Sequence, residues 1–448
     1  MLDSLEKAIT SKADFVEIRA AVAHTSRVKL RETDVEAASS GSASGFGVRA
    51  LYKGAWGFAY TSEQKNLWET VESAARLARA SSRKPIGANL AGKSNARDSV
   101  PLKVKKHPAD FGLDEKVSLC KELLEKKPGD IVTHDLEYAD GWGESYYVNS
   151  EGAAIEYFPV RSFLAFSAYS KKNGELLNAH DAVAGLKGVE LLDGRHSMLK
   201  KVFQNALLMQ KAQLPPKGKM PVVIDPKMAG VFAHEMVGHA SEGDAVANDK
   251  SILRGKRGRL LGSRHVSIVD DPTAKGLFGS YPYDAEGTKA QKTQLVENGR
   301  VIEFLQSRES AAKLKAEPTG NARAESTAHF PIVRMSNTFF EKGEHSLDEI
   351  FEGMDGVYAI GSKGGVTEPN TGIFQFAAEY GWLIKNGEKT VPLRDVTLVG
   401  NLLKTLRSVE ACGKTTRLGH PGFCGKSGQS VPVSDGGPHI RIKEVLVG

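Results

Sequence analysis

The chain is short of cysteine, of long apolar runs and of net charge, and each shortage closes off a class of protein. Only three of its 448 residues are cysteine, at positions 120, 412 and 424. So few thiols, odd in number, rule out a disulfide framework and point to a reducing compartment. No apolar run approaches the roughly 20 residues of a membrane-crossing helix. The opening Met-Leu-Asp-Ser-Leu-Glu-Lys lacks the basic and apolar regions of a signal peptide. A cytoplasmic protein with no membrane partner is therefore expected. The net charge of +6 is small for this length. There is no recognition-helix pattern and no stripe of basic and aromatic residues, so no nucleic-acid partner is expected. Aromatic residues are modest at 7 %, whereas glycine, at 46 residues, is plentiful. That balance predicts many turns between short strands.

What is present reads as an α+β protein with mostly antiparallel strands. A short helix is expected near residues 3–12. The alternation of Phe15, Glu17 and Arg19 with Val16, Ile18 and Ala20 predicts a strand, and residues 26–33 and 44–61 continue the pattern, with Lys53-Gly54 as a hairpin turn. Leu67, Val71, Ala74, Ala75 and Ala78 fall on one face of a helix. Scattered Pro, Gly, Ser and Lys over 81–110 predict a linker. Then come a helix over 114–126 carrying Cys120, paired strands over 131–186, a helix over 190–212, and a break at Gln213-Leu214-Pro215-Pro216-Lys217-Gly218. A strand at 220–225 and a short helix open a β-rich remainder with Gly-rich turns at 361–372, 386–387 and 422–437. Three domains are expected: an N-terminal α+β domain over 1–95, a middle α+β domain over 108–214, and a β-rich C-terminal domain over 218–448.

The chemistry concentrates in His234-Glu235-Met236-Val237-Gly238-His239. Two imidazoles flank a carboxylate, as in zinc peptidases, but one residue further apart than H-E-x-x-H. On a regular α-helix, side chains at i and i+4 lie roughly 40° apart, and at i and i+5 about 140° apart. Either a π-bulge closes the gap or the pair is no metal site; Gly238 would ease such a distortion. Asp225-Pro226 supplies a helix start, and the apolar run Met228 to Ala233 predicts a buried helix. A catalytic zinc needs a third protein ligand. Glu242 and Asp244 are near in sequence; Cys412, Cys424, His420 and His439 are distant. Cys424 lies in the polar, Gly-rich Gly422-Phe423-Cys424-Gly425-Lys426-Ser427-Gly428, unlike the buried apolar setting expected of Cys120. Gly45-Phe46-Gly47-Val48-Arg49-Ala50 imitates a dinucleotide fingerprint but alternates as a strand, and Gly425-Lys426-Ser427 imitates a phosphate loop without its leading glycine.

Several blocks together resemble the TldD branch of the TldD/PmbA family. They are His234 to Asp244 (H-E-x-x-G-H-x-x-E-G-D), Cys424 to Val433 (C-G-K-x-G-Q-S-V-P-V), Arg323-Ala324-Glu325-Ser326 with Pro331 to Thr338, and Gly45 to Ala50 with Gly57-Phe58-Ala59. The resemblance implies a cytoplasmic zinc metallopeptidase. Carried over, His234, His239 and Cys424 hold Zn²⁺ and Glu235 is the general base for a zinc-activated water. It further implies short unfolded peptides as substrates, and a homodimer or a heterodimer with a PmbA-type paralogue. A peptide could add as a strand to an edge in 361–374, with Gly364 and Gly365 as candidate contacts. The alternative expectation is a non-catalytic zinc-binding adaptor or regulator of the same family, its metal closed off by a fourth ligand such as His420.

Overall fold

The computed structural model describes residues 1–9 and 13–448. The opening helix spans Leu2–Ala8; the remainder of the expected 3–12 helix runs into residues 10–12, outside the described residues.

The first half of the chain builds one eight-stranded sheet. Its order is Ala55–Thr61, Asp34–Tyr52, Phe15–Arg31, Ile131–Asn149, Ala154–Tyr157 and Arg97–Val100, with Val160–Lys172 also pairing Ile131–Asn149 and Glu175–Gly185 outside it. Phe15–Arg31 pairs antiparallel with Ile131–Asn149 from Glu17 opposite Asn149 to Arg31 opposite Asp135, so the first and middle segments share a sheet. The helices Leu67–Ser81, Leu113–Glu122 and His196–Met209 pack on it. Lys53 and Gly54 both take positive φ, the two-residue hairpin turn expected of them.

Three details differ from the sequence reading. Asp34–Tyr52 is a single long strand, and the sequence hides its first half because Ala37 to Ser44 are small and exposed and so carry no apolar alternation. Residues 81–110 include the strand Arg97–Val100, parallel to Ala154–Tyr157. The expected helix over 190–212 begins as a short 3₁₀ turn, Val189–Leu192, and restarts at His196 after Gly194, whose φ of +71° breaks it.

The second half holds two large sheets around a common core, beside the two-stranded pair Ala322–Arg323 and Ile332–Val333. One has nine strands, ordered Gly365–Glu368, Ile373–Ala377, Thr397–Asn401, Ile440–Val447, Gly218–Ile224, Gly356–Ile360, Tyr380–Lys385 and Glu388–Leu393, with Val409–Cys412 on Ile440–Val447. The other runs Arg300–Val301, Thr293–Glu297, Ile268–Asp270, Asn337–Phe340, Gln429–Gly437 and Arg417–Lys426. Most pairings are antiparallel, and the architecture is α+β. The expected Gly-rich segment 361–372 keeps its turns on either side of the short strand Gly365–Glu368, whereas 422–437 is largely strand. Glycine there lets backbones approach, as where Gly436 meets the carbonyl of Arg417. Between the sheets lies the helix Pro226–Phe232 and its continuation, with Met228, Phe232, Ala233 and Met236 buried. Among the described residues no helix is long and apolar enough to cross a membrane.

Candidate metal centre

The motif helix starts where its residues dictate. The Asp225 carboxylate accepts from the Met228 N–H at 2.9 Å, and Pro226 fills the first helical position, where no N–H is needed. The helix is regular over Pro226–Phe232 and then widens into a π turn over Ala233–Gly238. Bonds from i to i+5 stack residues five apart. The His234 and His239 rings accordingly meet, with centroids 5.2 Å apart and planes at 83°. The long spacing and the wide turn compensate each other.

Two glycines let this helix sit where it does. Gly238 has φ −57°, open to any residue, so its role is space and not backbone freedom: a Cβ there would run into Met335 Sδ. A Cβ on Gly230 would collide with the backbone of Asp435 and Gly436. The helix therefore lies directly on the strand Gln429–Gly437. One turn after Gly230, His234 Nδ1 reaches Asp435 Oδ1 at 3.0 Å.

Cys424 arrives from the neighbouring strand, Arg417–Lys426, opposite Val431. The fully buried Arg334 donates to its carbonyl and to that of Gln429, fixing the hairpin. Cys424 Sγ lies 3.8 Å from His239 Nε2, and the donor atoms of His234, His239 and Cys424 all fall within 4.8 Å of one another. Among the described residues this is the one such group of His, Cys, Asp or Glu. The Glu235 carboxylate is 4.0 Å from His239 Nε2.

Charge is arranged around the sulfur. Burial pushes the Cys424 thiol up, but the two imidazoles overcome it and hold it down at about 5. Burial presses His239 down, and Glu242 with the Cys424 sulfur reverses this, to about 10. His234 is likewise raised against burial by Asp435 and Cys424. Burial raises Glu235, with both imidazoles opposing. These donors suit a borderline-soft divalent cation: an ionised sulfur between two rings, each with its Nδ1 engaged by a carboxylate (Asp435 for His234, Glu242 at 3.4 Å for His239). Three donors with one position open are typical of catalytic zinc sites.

The other candidates lie outside this group. Glu242 Oε2 and both Asp244 oxygens take Lys426 Nζ, at 3.1 and 2.8 Å. Cys412 Sγ donates to the Glu341 carbonyl, and His439 Nε2 pairs with the Tyr358 hydroxyl at 2.9 Å. His420 stands opposite Asp435 in the hairpin, but burial drives it down to about 4 and it does not join the donors. Sequence reasoning misses Asp435 and Lys426. Lys426 had a usable signal, since two residues past Cys424 it shares a strand face with it.

A cavity of about 430 Å³ opens on the donors, bordered by Glu235, Lys250, Phe423 and the segment Gly365-Val366-Thr367. That segment belongs to the edge strand of the nine-stranded sheet. Gly365 borders the cavity; Gly364, at φ +96°, is the residue before it and does not.

Comparison with known proteins bears on the whole chain. Residues 217–448 match the C-terminal domain of PmbA/TldA metallopeptidases, 16–82 their first domain and 106–209 their central domain. A metalloprotease of Methanothermobacter thermautotrophicus is 40 % identical over 100 % of this chain and 98 % of its own length. A zinc metalloprotease TldD homolog of Saccharolobus solfataricus is 30 % identical over 100 % and 99 %. The crystal structure of TldE from Thermococcus kodakarensis superposes with a TM-score of 0.79 at 20 % identity, over 100 % of this chain and 98 % of that one, a likeness of fold.

Proposed function

The chain belongs to the PmbA/TldD family of metallopeptidases, and from that premise we propose that it hydrolyses short, unfolded peptides with a zinc ion held by His234, His239 and Cys424. One observation carries this reading: the π turn brings a mis-spaced histidine pair to a single buried thiolate. Bound there, zinc supplies Lewis acidity toward a peptide carbonyl and toward water. The chain's own groups do the rest. Glu235, on the same turn, takes the proton from water and returns it to the leaving amine. Asp435 and Glu242 hold the two rings in place through their Nδ1 atoms.

Substrate binding follows from the edge strand. Among the described residues no strand pairs with its outer edge, and an extended peptide can add to it beside the donors, with Gly364 and Gly365 as candidate contacts. A folded protein offers no free extended segment, which restricts cleavage to unfolded chains. The adaptor alternative calls for a fourth protein donor, and among the described residues none joins the three. The cysteines are unpaired, in keeping with a cytoplasmic protein. The assembly is a homodimer or a heterodimer with a PmbA-type paralogue.

Glu235→Gln tests the reading. The amide is nearly isosteric with the carboxylate, so zinc content should stay at about one per chain while turnover of an unstructured peptide falls at least roughly 10²-fold. Turnover close to that of the unaltered protein would remove Glu235 from its role.

A further inference from the structure

One ammonium is built into the wall of the donor cavity. Lys426 lies two residues beyond Cys424 on the strand Arg417–Lys426, and so on the same face of it. Its Nζ reaches Glu242 Oε2 at 3.1 Å, both oxygens of Asp244 at 2.8 Å and the Val333 carbonyl at 3.0 Å. An ammonium has three N–H donors, so this one is fully engaged and has none left for a substrate. Glu242 and Asp244 come just after His239 in the chain. The lysine thus ties the strand that supplies the thiolate to the turn that supplies the histidines.

A plain cross-link would need no more than that, but the bonds on Glu242 are unevenly shared. Its Oε2 serves both Lys426, at 3.1 Å, and His239 Nδ1, at 3.4 Å. Its Oε1 is buried and has no partner among the described residues. Lysine and imidazole therefore compete for one oxygen. On the other ring no lysine or arginine intervenes among the described residues, and Asp435 Oδ1 meets His234 Nδ1 at 3.0 Å. A carboxylate on the outer nitrogen of a metal-binding imidazole makes that imidazole a stronger donor. A cation on the same carboxylate opposes the effect.

We infer that Lys426 is a positioning residue that acts through Glu242: it draws the carboxylate away from His239 and keeps that ring a weaker donor, which lowers affinity for zinc and leaves the metal better able to polarise a peptide carbonyl. Asp244, on the far side of Lys426, moderates the lysine's pull. The inference rests on the peptidase reading for its effect on turnover; its effect on metal affinity is independent of that reading. It also matters chemically beside Cys424, because a thiolate already donates charge heavily and a second strong donor would blunt the metal further.

The series Asp244, Lys426, Glu242, His239 alternates in charge, so removing its members should alternate in effect. Lys426→Gln keeps a donor but removes the charge. In the full-length protein, zinc affinity measured by chelator competition should rise roughly 10-fold, while kcat for an unstructured peptide falls by a similar factor and KM changes little. Asp244→Asn keeps the shape and should lower zinc affinity, again roughly 10-fold. A lysine that only braces the hairpin gives a different pattern, in which both variants lose melting temperature and zinc affinity together; that pattern would overturn the inference. So would unaltered zinc affinity in Lys426→Gln, or tighter zinc with unaltered kcat. If Lys426→Gln does not fold, Asp244→Asn decides, and zinc bound as tightly as before, or more tightly, overturns the inference. Opposite shifts in the two variants of a protein that cleaves no peptide would support the role of Lys426 at His239 and sink the peptidase reading alone.

Discussion

At the residue scale the centre depends on the groups around the donors as much as on the donors. Cys424→Ala should abolish stoichiometric zinc, because a neutral two-imidazole remnant has lost its only anionic ligand; elemental analysis after dialysis reads this directly. Cys120→Ala and Cys412→Ala should retain full metal, since both thiols are buried elsewhere and burial lifts each to about 12. Asp435→Asn is more discriminating. It keeps the shape but removes the charge that holds His234 Nδ1, so zinc affinity in a chelator competition should fall roughly 10- to 100-fold; unchanged affinity would reduce Asp435 to a packing role. Of these residues the two His stand out by residue type and spacing, while Cys424 is one of several third-ligand candidates that the family resemblance, and not its setting alone, singles out. Asp435 does not stand out at all. It lies at the end of an apolar stretch, Val431-Pro432-Val433-Ser434, and nothing local says that a helix 200 residues upstream will lie against it. Gly238 was legible as a needed glycine, but for the wrong reason, because the obstacle is a side chain from another segment, Met335.

At the scale of elements, two features set the donors in register: the π turn and the contact of its helix with the strand Gln429–Gly437. The contact is tight because Gly230 has no Cβ. Gly230→Ala should force the helix off the strand and lengthen the His234–Asp435 bond. Overpacking of this kind typically destabilises by about 1–3 kcal/mol, so the melting temperature and the zinc affinity should fall together. Loss of stability with unaltered zinc affinity would show that the helix position does not govern the site. The turn itself was legible as a dilemma, since spacing of five on a helix permits either a π turn or no site. The hairpin Arg417–Lys426 and Gln429–Gly437 was not legible, because its many glycines read as loop. The exposed half of Asp34–Tyr52 was obscured for a related reason: a ribbon wet on both faces needs no apolar alternation, and periodicity reports burial and not strand as such.

At the scale of the molecule, the first sheet and the C-terminal half are joined by buried charge. Arg49 bonds Glu17 at 2.8 Å within the first sheet and Glu286 at 2.9 Å across the junction, with all three side chains inaccessible. A second junction carries its charge less comfortably. Glu379 of the C-terminal half faces Lys227 at 3.8 Å and His180 Nε2 at 3.7 Å, while Lys227 is also engaged by Asp181 at 2.5 Å, and Asp225 lies near. Burial raises the Glu379 carboxyl to about 7, with Lys227 opposing and Asp181 and Asp225 adding to the rise. The sign is then fixed. The folded state holds this proton more tightly than the unfolded chain, whose carboxyl titrates near 4.5. Below that value the group is protonated in both states and contributes no penalty. Between about 4.5 and 7 the unfolded chain ionises first, and stability falls as pH rises, by an amount on the order of 3 kcal/mol once pH exceeds 7. Glu379→Gln removes the ionisation and leaves Lys227 paired with Asp181. Denaturant titrations at pH 5 and pH 8 should find the variant about equal to the unaltered protein at the lower pH and more stable at the higher. A variant less stable at pH 8 would mean that Glu379 is held there as a carboxylate by Lys227, and that this junction is a true ion pair.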